Sequence, residues 1–260
     1  MRLRTVNASR YVTPLREGGS LPAIIEADDE GMYVLKFRGA GQGVKALIAE
    51  LLAGEIARLA GLPIPEIVFV NLPQDMARTE PDAEIHSLIK ASAGLNLALD
   101  YLPGSVTFDP LIFDVDSRLA SDIVWFDALV CNVDRTPRNV NMLVWHRRLW
   151  LIDHGAALYF QHAWREGEEH AATPFTRIKD HVLLKHASAL GETDTRLRAL
   201  LTPERLAAIV AQIPESWLPE DPGFSGCAVQ RQAYLDFFVN RIRMSEVFLK
   251  EAERARTSHL

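Results

Sequence analysis

The chain has 260 residues, of which 48% are hydrophobic and 24% charged, and its formal net charge at pH 7 is −6. This length and apolar fraction suffice for one large domain or two lobes around a sizeable core. The acidic balance argues against general binding to nucleic acid or to an anionic membrane, because both attract a basic surface, so we expect neither as a partner.

The cysteines and histidines indicate which metal sites the chain can form and in which cellular compartment we expect it. The two cysteines, Cys131 and Cys227, are too few for a disulfide framework or a four-cysteine metal site, and the histidines lack a partner at zinc-ligand spacing. No stretch of about 18 uncharged apolar residues occurs, and no apolar run follows the basic residues at the start of the chain. We therefore expect a protein of the reducing cytoplasm, without zinc and without a membrane span.

The first part of the chain has the alternation and turn residues of strands, interrupted by one helical segment. Residues 11–15, 21–26 and 32–37 predict a three-stranded antiparallel meander. Residues 44–60 place apolar side chains at helical spacing, and Gly61 supplies a stop signal. One helix is therefore expected to follow the meander.

The rest of the chain changes from strands to helices. The β-rich runs 67–70 and 85–89 predict a hairpin, and from residue 111 the pattern is mainly helical. The arginines of the last helix predict a solvent-exposed face. A β-rich half followed by a helical half indicates an α+β chain of two lobes with a crevice near residues 90–110. The expected elements after residue 111 are helices over 116–131, 178–190, 203–212 and 229–253, and a hairpin of 141–145 with 148–152.

Three polar residues around the predicted hairpin carry the strongest chemical signal. Asp134 and Asn139 are five positions apart in one loop, and Asp153 follows fourteen positions later, across the hairpin. In phosphoryl transfer, one Asp aligns the acceptor hydroxyl, while an Asn and a second Asp hold Mg²⁺ against the nucleotide phosphates. Each residue alone is more often part of a turn. Their order, and the apolar elements before and between them, favour the functional interpretation.

Candidates for the remaining tasks lie in the first half. The segment Gly18-Gly19-Ser20 between two strands lets backbone N–H groups approach phosphate oxygens, although a glycine pair is usually an ordinary turn. Lys36 lies in an apolar strand, either as an exposed alternate position or as an inward ammonium for phosphates. Glu50 on the following helix is a candidate ion-pair partner for Lys36. Glu55 competes for that role from a different face of the helix.

These motifs together resemble a known family. Asp134-Arg135-x-x-x-Asn139 with Ile152-Asp153-x-Gly155 resembles the catalytic loop and metal-binding motif of the phosphoinositide lipid kinases and of their bacterial relatives, the HipA-like kinases. Three further stretches are more similar to the HipA-like kinases. Residues 18–22 resemble the phosphate loop of that family, and residues 33–37 resemble its lysine strand. Residues 49–65 resemble its helix, which has an early Glu and a closing turn. The similarity covers roughly residues 10–160 in ordered pieces.

The resemblance implies an α+β, two-lobed, protein-kinase-like fold, with residues 1–102 as the N-lobe and 103–260 as the C-lobe of one kinase-like domain. It implies an ATP- and Mg²⁺-dependent kinase that transfers the γ-phosphate to a hydroxyl, with a protein Ser or Thr favoured as acceptor. The implied roles are a phosphate cover for Gly18-Gly19-Ser20, α/β-phosphate contact for Lys36, orientation of Lys36 for Glu50, catalysis for Asp134, and Mg²⁺ ligation for Asn139 and Asp153.

Two departures and three alternatives accompany this prediction. Thr136 stands where the family often has His, and His154 stands where an aromatic usually follows the metal-binding Asp; neither change removes a metal ligand. A nucleotide-binding pseudokinase or scaffold, and a small-molecule or lipid kinase of the same fold, stay open. So does a metal-dependent phosphohydrolase that uses Asp134 and Asp153. The adenine-contacting hinge is expected near residues 97–102.

Overall fold

Five strands of the first hundred residues close into a barrel. The computed structural model describes residues 2–15, 21–164, 170–218 and 223–258. The order around the barrel is β1-β2-β3-β5-β4, and every neighbouring pair is antiparallel except β1 with β4. The strands are β1 (Thr5–Pro14), β2 (Ala23–Ala27), β3 (Met32–Lys36), β4 (Ile67–Leu72) and β5 (Gly94–Asp100).

The two faces of strand β3 have different surroundings. Tyr33 and Leu35 are buried in the small core inside the barrel. Successive side chains of a strand point to opposite faces, so Lys36 leaves the barrel interior and faces the neighbouring helix. The period-2 pattern of β3 therefore places the lysine outside the small core.

Helix α1 (Gly43–Leu59) lies between the barrel and the rest of the protein. Every residue from Leu47 to Ala57 is buried, including Glu50 and Glu55. The helix ends at Ala60, and Gly61 follows with φ of +81°, the left-handed conformation that commonly terminates helices. The predicted helix over residues 44–60 is confirmed.

The predicted hairpin of residues 67–70 with 85–89 is wrong. Residues 85–89 lie in helix α2 (Ala83–Ala91), and the strand that pairs with β4 is β5. The Asp82 carboxylate accepts the backbone N–H groups of Glu84 and Ile85 and caps the helix. Ile85 and Ile89, four positions apart, bury one face of α2 against the barrel. Helical spacing outweighed the β propensity of the isoleucines.

The second half begins with a helix, a loop and a small sheet. Helix α3 (Ser117–Leu129) is capped by the Asp116 side chain, and the predicted helix over 116–131 is confirmed. The predicted hairpin is formed by β7 (Met142–Trp145) and β8 (Arg148–Leu151), and β6 (Val106–Thr107) adds a third strand beside β7. The loop that bears Asp134 and Asn139 joins α3 to β7.

The predicted helix over residues 178–190 is also wrong. Short 3₁₀ turns cover Thr176–Asp180 and Leu184–His186, and the helix that follows is α4 (Leu190–Leu200). Backbone groups here bond outside a helix: the Val182 N–H donates to the Arg135 carbonyl at 3.1 Å, and the Leu183 N–H donates to His181 Nδ1 at 3.0 Å. These bonds explain why apolar spacing did not produce a helix.

The last segment is divided in two. Helix α5 (Pro203–Val210) agrees with the predicted 203–212, but the predicted 229–253 is two helices, α6 (Cys227–Arg243) and α7 (Ser245–Ser258). A straight helix of 25 residues would be about 38 Å long, and the break at Met244 lets α7 turn back onto α3 and α4. Among the described helices, none has both the length and the apolarity to cross a membrane.

The expected exposed face of the last helix is wrong at Arg241, and Arg256 is only partly exposed. Arg241 is completely buried, whereas Arg243 and Arg254 are exposed. The Arg241 guanidinium donates to the carbonyls of Ala128 and Leu129 at the end of α3. Backbone carbonyls, which the sequence pattern does not reveal, stabilise this buried charge.

Candidate functional site

Lys36, Glu50 and Asp153 form a cluster where the barrel meets the helical half. The Lys36 ammonium lies 2.8 Å from Asp153 Oδ1 and 3.9 Å from Glu50 Oε2. The Lys36 side chain is 12% exposed and that of Asp153 is 41% exposed, so the cluster opens to solvent on the Asp153 side. The expected partner of Lys36 on α1 is therefore Glu50, while Glu55 bonds Arg58 instead.

His154 fixes the Glu50 carboxylate from the other side. The His154 backbone N–H donates to Glu50 Oε2 at 3.0 Å, and its Nδ1 lies 3.1 Å from Oε1. The ring packs edge-on against Phe126, with 5.8 Å between centroids. His154 stands where an aromatic residue was expected. Its ring still makes an aromatic contact, and it adds a hydrogen bond to Glu50. This bond ties α1 to the segment that bears Asp153.

The charges of this cluster stabilise one another. Burial opposes the positive charge on Lys36, but Asp153 and Glu50 outweigh it and raise the Lys36 pKa. Burial also opposes ionisation of Glu50, yet Lys36 and His154 hold the Glu50 pKa well below its usual range. The site therefore presents an ammonium ion between two carboxylates at neutral pH.

Asp134 and Asn139 contact each other in the loop after α3. Asn139 Nδ2 donates to Asp134 Oδ2 at 2.9 Å, and Asn141 Nδ2 lies 3.3 Å from the same oxygen. The Asp134 backbone N–H donates to the Asn132 side chain at 3.1 Å. Asp134 also contributes to the raised pKa of Lys36. The catalytic-loop candidate therefore lies near enough to the lysine cluster for the charge of Asp134 to act on Lys36.

A buried network beneath this loop holds its backbone. Asp127 on α3 accepts from Arg135 Nε at 2.6 Å, from Asn132 Nδ2 at 2.9 Å and from His181 Nε2 at 2.9 Å. Burial opposes the charge on Asp127, but Arg135 and His181 place its pKa well below the usual range. Arg135 also donates to the Asn141 carbonyl. The residues on both sides of Asp134 are thus anchored to one carboxylate.

Sequence reasoning missed this network and the part played by His154. A charged residue inside the apolar run of α3, at Asp127, was the available signal, because a carboxylate in a buried helix needs partners. Nothing local marks His181, which is 54 residues away from Asp127. Its contribution depends on the tertiary fold.

The atoms available to a divalent cation are oxygens. Asn139 donates its Nδ2 to Asp134, which leaves the Asn139 Oδ1 free to act as a metal ligand. Asp153 is partly exposed and has φ of +56°, a left-handed conformation that Asp tolerates better than most residues. In the part of the chain that the structure describes, no three His, Cys, Asp or Glu side chains converge on one point. The predicted phosphate cover, Gly18-Gly19-Ser20, lies outside the described residues.

Kinases are among the solved structures with a similar fold. The Golgi casein kinase with Mn/ADP bound is 11% identical with a TM-score of 0.51, and the match covers 100% of this chain and 75% of that one. The Helicobacter pylori proinflammatory kinase CtkA is 12% identical with a TM-score of 0.50, covering 98% of this chain and 99% of that one. These similarities show that the fold is α+β and kinase-like. A search of curated proteins gave no significant match.

A family model gives the assignment. The model described as HipA-like kinase matches residues 9–246. The match includes most of the barrel, the site residues and most of the helical half, well beyond the roughly 150 residues that carry the sequence resemblance. The chain belongs to the HipA-like kinase family.

Proposed function

We propose that this protein is an ATP- and Mg²⁺-dependent kinase that transfers the γ-phosphate to the hydroxyl of a protein Ser or Thr. The observation that carries the proposal is the cluster of Lys36 with Glu50 and Asp153, bordered by Asp134 and Asn139. Phosphoryl transfer depends mainly on positioning and on neutralised charge, and these side chains suit both tasks.

Each side chain has a distinct proposed role. Lys36, oriented by Glu50, neutralises the α/β-phosphates, and Gly18-Gly19-Ser20 covers them. Asp134 is half-buried and held by Asn139 and Asn141, so its carboxylate is fixed in position to accept the proton of the acceptor hydroxyl. Asn139 and Asp153 hold the metal.

The donor set fits the proposed cofactor. Mg²⁺ prefers oxygen ligands and is usually bound by one or two carboxylates together with substrate phosphates; Asp153 and the Asn139 amide oxygen are of this type. When bound, the ion neutralises charge on the phosphates. The kinase-like structure with Mn/ADP bound supports the use of a nucleotide and a divalent metal.

We further propose that the barrel half and the helical half are the two lobes, divided near residue 102, with the nucleotide between them. The hinge then follows β5, at residues 97–102. The hydrogen bonds from His154 to Glu50 join the two halves beside the proposed phosphate site. Both cysteines are free thiols, which supports our proposal of a cytoplasmic protein.

The proposal is tested by incubating the purified protein with γ-labelled ATP, Mg²⁺ and a cell lysate. We expect label on the protein itself or on a lysate protein, and this label should resist hydroxylamine, which releases acyl phosphates but not the phosphate esters of Ser and Thr. Asp134→Asn and Asp153→Asn variants should lose the label. Asp114→Asn is the matched control, because Asp114 is an exposed carboxylate outside the crevice.

The outcomes separate the proposal from its alternatives. ATP binding without transfer, unchanged in Asp134→Asn, would identify a pseudokinase. Label that extracts with lipid or small molecules would replace the protein acceptor, and phosphoester hydrolysis without nucleotide would identify a phosphohydrolase. Absence of Mg²⁺-dependent ATP binding in calorimetry would refute the kinase proposal altogether.

A further inference from the structure

A groove of about 720 Å³ begins at the loop that bears Asp134. One wall is formed by Thr136, Pro137 and Arg138, two to four positions after Asp134. The other wall comes from residues 177–185, which include parts of two short 3₁₀ turns. None of the roles proposed above uses this space.

The walls of the groove are fixed to the catalytic-loop candidate. The Val182 N–H donates to the Arg135 carbonyl at 3.1 Å, and His181 Nε2 bonds Asp127, the carboxylate that also holds Arg135. Both walls therefore share one buried anchor, so the groove keeps a constant position relative to Asp134.

The groove is strongly basic although the whole chain is acidic. Four of its lining side chains are cationic and exposed, and the lining contains one carboxylate, Asp180, which lies 3.7 Å from Arg177. Among the described residues, no ion pair within 4.0 Å involves Arg138, Lys179 or Lys185, although the Glu251 carboxylate of α7 interacts with Lys179 over a longer distance. Four cations around one carboxylate, on a protein of net charge −6, create a local positive potential.

We propose that this groove binds the acceptor polypeptide and selects a hydroxyl that has acidic residues close to it in sequence. Arg138, Lys179 and Lys185 would contact the carboxylates. Because Thr136, Pro137 and Arg138 belong to the same loop as Asp134, a chain bound in the groove would place its acidic residues close in sequence to the acceptor. The inference rests on the proposed function, because it assigns the acceptor to the Asp134 crevice.

Charge complementarity favours a polypeptide over nucleic acid. A nucleic-acid site requires a basic footprint larger than one groove, and the chain is acidic overall. Exposed apolar side chains continue beyond the groove residue Pro110: Leu111 is 89% exposed and Ile112 is 72% exposed. An acidic peptide with an apolar side chain would match both surfaces.

The test measures binding separately from transfer. A labelled peptide with a central Ser flanked by Glu, and the same peptide with Gln in place of Glu, are titrated by fluorescence anisotropy at saturating ATP and Mg²⁺. We expect the Glu peptide to bind about tenfold more tightly than the Gln peptide, and the preference to weaken as salt is raised.

Charge-reversal variants locate the binding. Lys179→Glu and Lys185→Glu should each weaken binding of the Glu peptide by about three- to tenfold, without changing the affinity for ATP measured by calorimetry. Lys90→Glu is the matched control, because Lys90 is an exposed lysine at the end of α2 with no described carboxylate partner, and it should leave peptide binding within about twofold of wild type.

Several results would overturn the inference. They are equal binding of the Glu and Gln peptides, equal losses in Lys179→Glu and Lys90→Glu, tighter binding of a single-stranded RNA of matched charge, or a parallel loss of ATP affinity in the groove variants. Selective binding of the Glu peptide without phosphorylation would leave the groove assignment intact while counting against the proposed kinase activity.

Discussion

Asp153 and Asp134 are both carboxylates of one crevice, but their partners differ. Asp153 contacts the Lys36 ammonium directly, whereas Asp134 accepts from two amides and affects Lys36 only from a distance. At the residue scale this difference suggests a division of tasks. In the mechanism that we propose, Asp153 holds the metal beside the phosphates and Asp134 accepts the proton of the acceptor hydroxyl.

Isosteric amide variants test this division. Asp153→Asn should weaken Mg²⁺-dependent ATP binding by at least tenfold, the scale seen when the support of a bound metal is removed. Asp134→Asn should keep ATP affinity within about threefold and reduce transfer by about 10²- to 10⁴-fold, the usual contribution of a general base. Calorimetry and a labelled-ATP assay give the two values. Equal losses of ATP affinity in both variants would contradict the assignment.

The hydrogen bonds of the buried His181 side chain require a neutral imidazole ring. Its Nδ1 accepts the Leu183 N–H at 3.0 Å, so Nε2 carries the proton and donates to Asp127. A second proton would remove the acceptor for Leu183. Burial, opposed by Asp127, lowers the His181 pKa. The unfolded chain binds this proton as the pH falls through about 6.5, so the free energy of unfolding decreases below that pH.

We expect urea unfolding between pH 7.5 and pH 5 to show this loss of stability. His181→Gln keeps a donor toward Asp127 but cannot titrate, so its free energy of unfolding should decline less steeply with falling pH than that of wild type. His86→Gln, on α2 and outside the network, should retain the wild-type slope. The low pKa of Asp127 affects the free energy of unfolding only at lower pH, because aspartate in the unfolded chain takes up protons near pH 4. Identical slopes for His181→Gln and wild type would refute the prediction.

Much of the crevice was predictable from residue type and spacing. Lys36, Glu50 and Asp153 are brought together by a strand, a helix and a hairpin that local patterns reveal. The supporting residues were not predictable, because His181 and Arg135 acquire their partners only when the chain folds. Arg135 looked like a loop residue of the motif, yet its side chain is fully buried on Asp127.

At the scale of elements, α6 stabilises the end of α3. The last carbonyls of a helix lack partners within the helix and carry partial negative charge. Arg241 of α6 donates to the carbonyls of Ala128 and Leu129, and its Nη1 donates to those of Ala171 and Thr173. The helix end that leads into the catalytic-loop candidate is therefore held by one buried side chain.

Arg241→Met should lower the free energy of unfolding by about 3 kcal/mol or more, because several buried carbonyls would lose their donors. Arg243→Met, two positions later on the same helix but exposed, should change it by less than about 0.5 kcal/mol. Urea denaturation of both variants makes the comparison. If both variants changed the free energy of unfolding by similarly small amounts, water would be replacing the Arg241 guanidinium as the donor to these carbonyls.

The elements that local patterns predicted are those with their own end signals. Helix α1 has Gly61 and helix α3 has Asp116. The wrong predictions have different causes. Helix α2 has a local cap, Asp82, but its isoleucines favoured a strand; β5 is defined by its pairing with β3 and β4; and the Val182 and Leu183 N–H groups bond Arg135 and His181 instead of helical carbonyls. Apolar spacing alone cannot distinguish these cases.

At the scale of the whole molecule, one apolar core crosses the proposed lobe boundary. It includes Leu51 of α1 and Leu97 of β5 together with Phe126 of α3 and Phe238 of α6, whereas a smaller core fills the barrel. Polar contacts cross as well: the Lys45 ammonium donates to the Gln161 carbonyl at 2.8 Å, and Gln161 Nε2 donates to the Lys45 carbonyl at 3.1 Å. Residues 1–102 therefore share an apolar core and direct polar contacts with the rest of the chain.

A shared core predicts that both halves unfold together. All five tryptophans lie after residue 102, so tryptophan fluorescence reports the helical half, while hydrogen exchange of the β2, β3 and β5 amides reports the barrel. We expect the two probes to give the same midpoint in urea, since a common core makes partial unfolding expose apolar surface on both sides. Gln161→Ala should move both midpoints in parallel. If the barrel amides lost protection at a lower urea concentration than the fluorescence midpoint, residues 1–102 would be a separate cooperative unit, and the proposal of a single kinase-like domain would fail.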